Sequence, residues 1–240
     1  MQRIAHIALA LALAGCQRTT RPADTPGPTG TSNMANTTVI TGTTRTFAND
    51  GSLAATLASP RVTLDAAGNV ATEERLSAAG AVEIRKQFTG GRLVAEERFA
   101  AGGALDERIA YRYDANGRLA EEAMAFGDGT PHGTWVHRRD ANGRLVGRSF
   151  VKPDGTTEAT ETYRYSADGK TATMVRAHVG EWKYRYDDDG HVLHEEGGPA
   201  SGDIMDQVAI DYAYDARHRL VSEIARGPGG RIQRELTITY

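Results

Sequence analysis

From about residue 41 onward, apolar and aromatic residues recur at every second position in short runs, and glycine closes most of the runs. Tyr111 and Tyr113 are two apart, so on an extended strand they share one face while Arg112 points to the other. Asp114-Ala115-Asn116-Gly117 then has the chemistry of a turn: the Asp carboxylate can accept local backbone N–H groups, and glycine tolerates positive φ. Arg118 and Leu119 open a returning strand, which makes the unit a β-hairpin. Glycines at 68, 80, 91, 103, 117, 129, 143, 155, 169, 180 and 190 punctuate the chain at hairpin spacing. Each strand is therefore expected to pair with the next in sequence. The predicted fold class is all-β: a long antiparallel β-meander of hairpin repeats forming a curved or twisted open sheet over residues 41–240.

The repetition is textual as well as periodic. YRYDANGRLAEE begins at Tyr111, HRRDANGRLVGRS at His137, YRYSADGKTATM at Tyr163, YRYDDDGHVLHEE at Tyr184 and YAYDARHRLVSEI at Tyr212. Fainter copies start at Val62 and Arg85, and the faintest at Thr46. The copy at Tyr212 carries His218 where the others carry glycine, which predicts a strained or differently shaped turn. Ala- and Glu-rich stretches such as 71–79 and 91–106 would score as helix on propensity alone, but a recurring turn pattern outweighs that weak preference. Residues 174–184 contain Gly180 and lead into Tyr-x-Tyr, so they too are assigned to strand. Residues 195–207, EEGGPASGDIMDQ, break the rhythm and are expected to form a loop. The last segment, from Ile232, alternates like an edge strand with Arg and Glu discouraging further pairing.

The Y-x-Y-D-x-x-G-R-L pattern resembles the YD repeats of Rhs and teneurin-like proteins. It is matched by Tyr111, Tyr113, Asp114, Gly117, Arg118 and Leu119, and again by Tyr212, Tyr214, Asp215, Arg219 and Leu220. Tyr184, Tyr186, Asp187 and Gly190 match without the Arg-Leu pair, and Tyr163, Tyr165 and Gly169 match with Ser166 in place of Asp. The resemblance implies an antiparallel β-strip, but this chain lacks the length for the closed shells of the large family members.

The N-terminus carries different information. A short basic start at Arg3 and an apolar run from Ile4 to Ala14 fit an export signal, too short to span a bilayer. The run ends Leu13-Ala14-Gly15-Cys16, which resembles the lipobox of bacterial lipoproteins. That resemblance implies a signal peptide over 1–15, cleavage before Cys16, acylation of its thiol with fatty acids such as palmitate, and anchoring of the chain to the cell envelope. Gln17, in place of Asp after the cysteine, implies the outer membrane by the enterobacterial sorting rule. Residues 16–40, rich in Thr, Pro and Gly, then serve as a flexible linker.

Composition narrows the function classes. A formal net charge of -3 and no basic stripe argue against nucleic acid as a partner. Cys16 is the single cysteine, so no internal disulfide holds the body. No phosphate loop, dinucleotide fingerprint, zinc-protease helix or nucleophile elbow occurs in a usable context. No enzyme activity and no cofactor are expected.

His191 and His194 invite a metal site, but three apart on a strand they fall on opposite faces; the acidic turn Asp187-Asp188-Asp189-Gly190 lacks the alternating ligand spacing of a calcium loop. No metal is expected. Trp135, Tyr163, Tyr165, Trp182, Tyr184 and Tyr186 form an aromatic ladder whose first role is cross-strand packing and whose functional role would be a ligand surface. The expected function is a non-enzymatic envelope lipoprotein that presents a binding or scaffolding surface to another envelope protein or to the peptidoglycan wall. The alternatives are a carbohydrate or peptidoglycan binder and a toxin-immunity or accessory factor.

Overall fold

The computed structural model of the protein describes residues 38–240 except 49, 178 and 200–207. The expected signal peptide, Cys16 and the linker up to residue 37 lie outside the described residues.

The strands are β1 Thr38–Thr41, β2 Thr43–Phe47, β3 Leu53–Leu57, β4 Arg61–Leu64, β5 Val70–Leu76, β6 Val82–Thr89, β7 Arg92–Phe99, β8 Leu105–Tyr113 and β9 Leu119–Phe126. They continue as β10 Pro131–Arg139, β11 Leu145–Val151, β12 Thr157–Tyr165, β13 Thr171–Arg176, β14 Gly180–Tyr186, β15 Val192–Pro199, β16 Val208–Tyr214, β17 Leu220–Arg226 and β18 Ile232–Thr237. All belong to one 18-stranded antiparallel sheet, as the meander pattern predicts. The segments over 71–79, 91–106 and 174–184 are largely strand, so the repeat pattern and not helix propensity decides their structure.

The tight turns explain the shared sentence. At 114–118 the Asp114 carbonyl accepts the Gly117 N–H, and its carboxylate accepts the N–H groups of Asn116 and Arg118 at 2.9 and 2.8 Å. Asp65, Asp140, Asp187 and Asp215 close their turns in the same way. The glycine at the end of the turn, as at Gly117 with φ 75°, takes the left-handed conformation that a three-residue hairpin loop requires. Ser166, with a shorter side chain, closes one residue later, its N–H reaching the Thr171 carbonyl where Asp114 reaches that of Arg118.

Two sequence expectations are corrected here. Residues 195–199 are not loop but the end of β15, with Glu195 paired to Tyr184 and Gly197 to Trp182. The glycine is needed there, because the Trp182 ring fills the space that a Cβ at 197 would occupy. The final strand is not an edge either: β18 pairs with β17 on one side and β2 on the other.

The ladder is not closed, since β1 pairs only with β4 and β3 only with β2. Those two ends nevertheless meet. β1 runs into β2 through Gly42, and the Gly42 N–H donates to the Pro60 carbonyl at 2.7 Å between β3 and β4. The first hairpin thus forms a seam, gripping β18 with β2 and β5 with β4. The sheet begins at Thr38, within the last residues expected of the linker. At the seam Val62, Leu64, Leu236 and Ile238 form a buried apolar cluster, flanked by Ile40, Leu220 and Tyr240. A second cluster joins Leu93, Ile109, Tyr111 and Leu119 on β7, β8 and β9. Full burial of each such side chain stabilises by roughly 1.5–3 kcal/mol.

Candidate functional site

Beyond these clusters, buried carboxylates share the interior with apolar residues such as Phe150, Met174, Val192 and Ile210. Counting five residues on from each turn residue, Gly68, Gly91, Gly117, Gly143, Gly169, Gly190 and His218, gives Glu73, Glu96, Glu122, Arg148, Met174, Glu195 and Glu223. Glu96 and Glu223 are each 1% exposed, and Glu122 and Glu195 are also buried. This position faces the first Tyr of the repeat across the hairpin: Tyr111 opposite Glu122, Tyr163 opposite Met174, Tyr184 opposite Glu195 and Tyr212 opposite Glu223. One face of the sheet therefore carries an aromatic and charged lining. It folds toward itself, since Arg75 on β5 reaches Glu223 on β17 at 3.4 Å although those strands do not pair.

Buried charges persist only when partnered. Glu161, 0% exposed, accepts hydrogen bonds from Arg148 Nη2 at 3.2 Å, Arg176 Nε at 2.9 Å and the Tyr163 hydroxyl at 2.9 Å. Burial by itself would raise its carboxyl, but hydrogen bonds and charge from Arg148 and Arg176 outweigh it and hold the pKa below the ordinary value. Arg148 also reaches Glu122 at 3.1 Å, and His137 Nε2 lies 2.7 Å from the same carboxylate. Glu195 is the exception. Burial pushes its pKa up to about 7, partly offset by a hydrogen bond from the Tyr212 hydroxyl.

At the end of the sheet that carries the Asp turns, this lining opens into a cleft of about 420 Å³. Tyr163 and Tyr165 on β12 and Tyr184 and Tyr186 on β14 supply rings, with Leu119, Leu145, Met174 and Val192 among them. The Tyr165 and Tyr186 rings are 6.3 Å apart, and the Arg144 guanidinium lies 5.9 Å from the Tyr165 ring. Arg139, Lys170, Asp168, Asp187 and Asp188 also line the cleft, and Lys170 is paired with Asp188 at 2.9 Å. His137 contributes a buried Nδ1 that has no hydrogen-bond partner among the described residues. Burial raises the pKa of the Tyr163 and Tyr184 hydroxyls, so both remain protonated donors.

Four of the six aromatic residues singled out from sequence thus converge on one cleft, and two do not. Trp135 lies beneath Arg148 and Arg176, its ring 4.4 and 5.2 Å from their guanidinium carbons, and Trp182 covers Gly197. The alternation that places tyrosines on one face cannot distinguish a ring that lines a cleft from one capped by arginines one and three strands away. Sequence reasoning also missed His137, Arg139, Arg144 and Lys170 as cleft residues. The available signal was their place in the repeat, at or beside positions that carry Tyr or Arg elsewhere. His191 and His194 do separate as expected: His194 pairs with Asp211 at 2.7 Å, and His191 with Asp187 at 2.8 Å.

The geometry defines an all-β protein, a meander of Asp-turn hairpins with a polar aromatic interior that opens into a cleft at the Asp-turn end. No family model matches the chain, and no curated protein matches it by sequence. Among solved structures, a porin-like protein from Bacteroides uniformis aligns over 84% of this chain and 95% of that one, at 10% identity and a TM-score of 0.41. A porin-like protein from Bacteroides vulgatus aligns over 85% of this chain and 99% of that one, at 9% identity and a TM-score of 0.29. A TcdB2-TccC3-TEV structure aligns over 80% of this chain but 14% of that one, at 12% identity and a TM-score of 0.28. At these scores the likenesses carry no argument about ligand or activity.

Proposed function

We propose that the protein is a non-enzymatic, lipid-anchored binding protein of the cell envelope, whose cleft takes an anionic saccharide of the peptidoglycan type. The observation that carries this reading is the cleft itself: four tyrosines around a space of about 420 Å³, with Arg139, Arg144 and Lys170 beside them and an unpartnered His137 Nδ1 in the wall. Aromatic rings pack against the C–H faces of sugar rings. The hydroxyls of Tyr165, Tyr184 and Tyr186 supply hydrogen bonds, and guanidinium groups pair with carboxylates. The volume is within the range of small-molecule sites. Anchoring through Cys16, the resemblance-based element of this reading, would hold the body near the wall.

Calorimetric titration of the full chain in detergent with carboxylated muropeptides, and with a neutral N-acetylglucosamine oligomer for comparison, tests the proposal. Muropeptides should bind more tightly than the neutral oligomer, and Arg144→Ala should weaken binding roughly tenfold, the equivalent of one charge-assisted hydrogen bond. Absence of binding to either saccharide overturns the ligand. Stoichiometric co-purification of one envelope protein from crosslinked cells would favour the scaffold instead.

A further inference from the structure

In successive repeats, the residue after the turn glycine lies against the next turn. Arg92 occupies the space beside Gly117, Arg118 that beside Gly143, and Arg144 that beside Gly169. Between the turns at 187–191 and 215–219 both halves of this contact are replaced, the cation by His191 and the glycine by His218. The two imidazole rings stack with centroids 4.8 Å apart and planes at 19°. Among the described residues His218 is the one non-glycine with positive φ, at 62°. A side chain stands there against the backbone's preference for glycine, and such outliers cluster at functional sites.

We propose that these two turns form a binding site for a divalent transition-metal ion, with Zn²⁺ as the best-suited occupant and His191, His218 and Asp189 as ligands. Their donor atoms lie within 4.8 Å of one another. His191 is 2% exposed, and its Nδ1 faces Asp187 Oδ2 at 2.8 Å, which leaves Nε2 as the lone-pair nitrogen. That Nε2 is buried and has no hydrogen-bond partner among the described residues. A carboxylate behind an imidazole is the arrangement that orients a metal-binding histidine. Asp189 Oδ2 lies 4.0 Å from His218 Nδ1, and both side chains are exposed at turn tips. Tetrahedral zinc bonds of 2.0–2.1 Å require donors roughly 3.3 Å apart, so the exposed Asp189 and His218 side chains need to draw in by about 1.5 Å, with the His218 ring turning out of its stack because an imidazole lone pair lies in the ring plane. Two imidazoles and one carboxylate suit zinc, nickel or copper, whereas calcium wants oxygen ligands throughout. The Asp187 carboxylate is already committed to the N–H groups of Asp189 and His191 and to the His191 ring, so it is not free to build an all-oxygen calcium loop.

The test uses the untagged full-length chain carrying Cys16→Ser, which removes the one thiol, and titrates it with Zn²⁺ and with Co²⁺ as a spectroscopic probe. One equivalent should bind, cobalt should give the absorption of a nitrogen- and oxygen-ligated site, and zinc at a hundredfold excess over Kd should raise Tm by about 5–10 °C. His218→Gly restores the residue used by the other repeats and removes a ligand. Its metal-free Tm should equal or exceed that of the parent, while the metal-dependent rise disappears. Asp189→Asn should weaken binding at least tenfold with the metal-free fold unchanged. Metal responses in His218→Gly and Asp189→Asn equal to the parent's, no metal response in the parent, or a response to Ca²⁺ alone would each overturn the site.

Discussion

The Arg92 guanidinium occupies the space where a Cβ on Gly117 would project, and it lies 5.5 Å from the centre of the Tyr113 ring. One contact thereby ties three fixed letters of the repeat together: the arginine after one turn, the second tyrosine of the next repeat, and that repeat's turn glycine. The glycine answers both a backbone demand and a packing demand, and these can be separated by experiment.

Gly155 makes the separation possible, because it has φ 84° but no atom within 4 Å of its would-be Cβ. Gly155→Ala should cost only the left-handed strain of a non-glycine residue, about 1 kcal/mol. Gly117→Ala adds displacement of Arg92 from its place over Tyr113, for a total of about 1.5–2.5 kcal/mol. Equal losses in urea denaturation of the two variants would show that the arginine contributes nothing to the turn.

A second inter-repeat tie joins the same tyrosine to the residue two after the turn glycine of the preceding repeat. The Tyr113 hydroxyl donates to the Leu93 carbonyl at 2.7 Å, Tyr214 donates to Val192 at 3.2 Å, and Arg139 replaces the tyrosine by donating to Leu119 at 3.1 Å. Tyr113→Phe should cost about 1 kcal/mol, mostly by leaving the carbonyl of Leu93 short of a donor. Tyr212→Phe removes a different kind of bond, to Glu195, and should act through the ionic interior. Amide exchange at the start of β7 should accelerate in Tyr113→Phe and not in Tyr212→Phe.

The knot around Glu161 gives the sharpest stability prediction. Glu161→Ala leaves Arg148 and Arg176 without their shared carboxylate in a buried setting, and loss of one partner from such a group typically costs about 3–5 kcal/mol. Trp135, which both guanidinium groups cover, should report the same loss as a change in fluorescence. A cost below about 1 kcal/mol would mean that the arginines find solvent or other acceptors. The pKa of Glu161 is lowered, so its contribution is present at neutral pH and disappears as pH falls through the folded value.

Much of this architecture was legible. Glycine spacing and Tyr-x-Tyr alternation gave the hairpins, because both are local demands of the backbone. The seam was not, because Arg234 pairing with Thr46 joins residues far apart in the sequence, and neither segment advertises its partner. That same nonlocal pairing turned the expected edge strand into an interior one. The ionic interior was hidden for another reason: Glu96, Glu122, Glu195 and Glu223 look like solvent-facing positions until they are counted from the turn residue. The cleft was legible in Tyr163, Tyr165, Tyr184 and Tyr186, while the capping of Trp135 by Arg176, three strands away, depends on sheet curvature that no strand pattern encodes.

Glu195 makes the pH dependence of the fold specific. It is 6% exposed, its hydrogen-bond donor is the Tyr212 hydroxyl at 3.3 Å, and no cationic side chain among the described residues pairs with it. Its pKa rises from an ordinary 4.5 to about 7 through burial. Between those values the folded state holds a proton that the unfolded chain has released, so stability falls as pH rises through this window. The full difference is at most roughly 3 kcal/mol, with the penalty complete above the folded pKa. Glu195→Gln keeps the size and an acceptor for Tyr212 but cannot ionise. It should resemble the parent at pH 4.5 and be more stable by roughly 2–3 kcal/mol at pH 8 in urea melts. An equal difference between parent and variant at both pH values would place the titration elsewhere. Carboxylates with lowered pKa, such as Asp187 and Asp215, act in the opposite sense and below pH 4, so they leave this window clear.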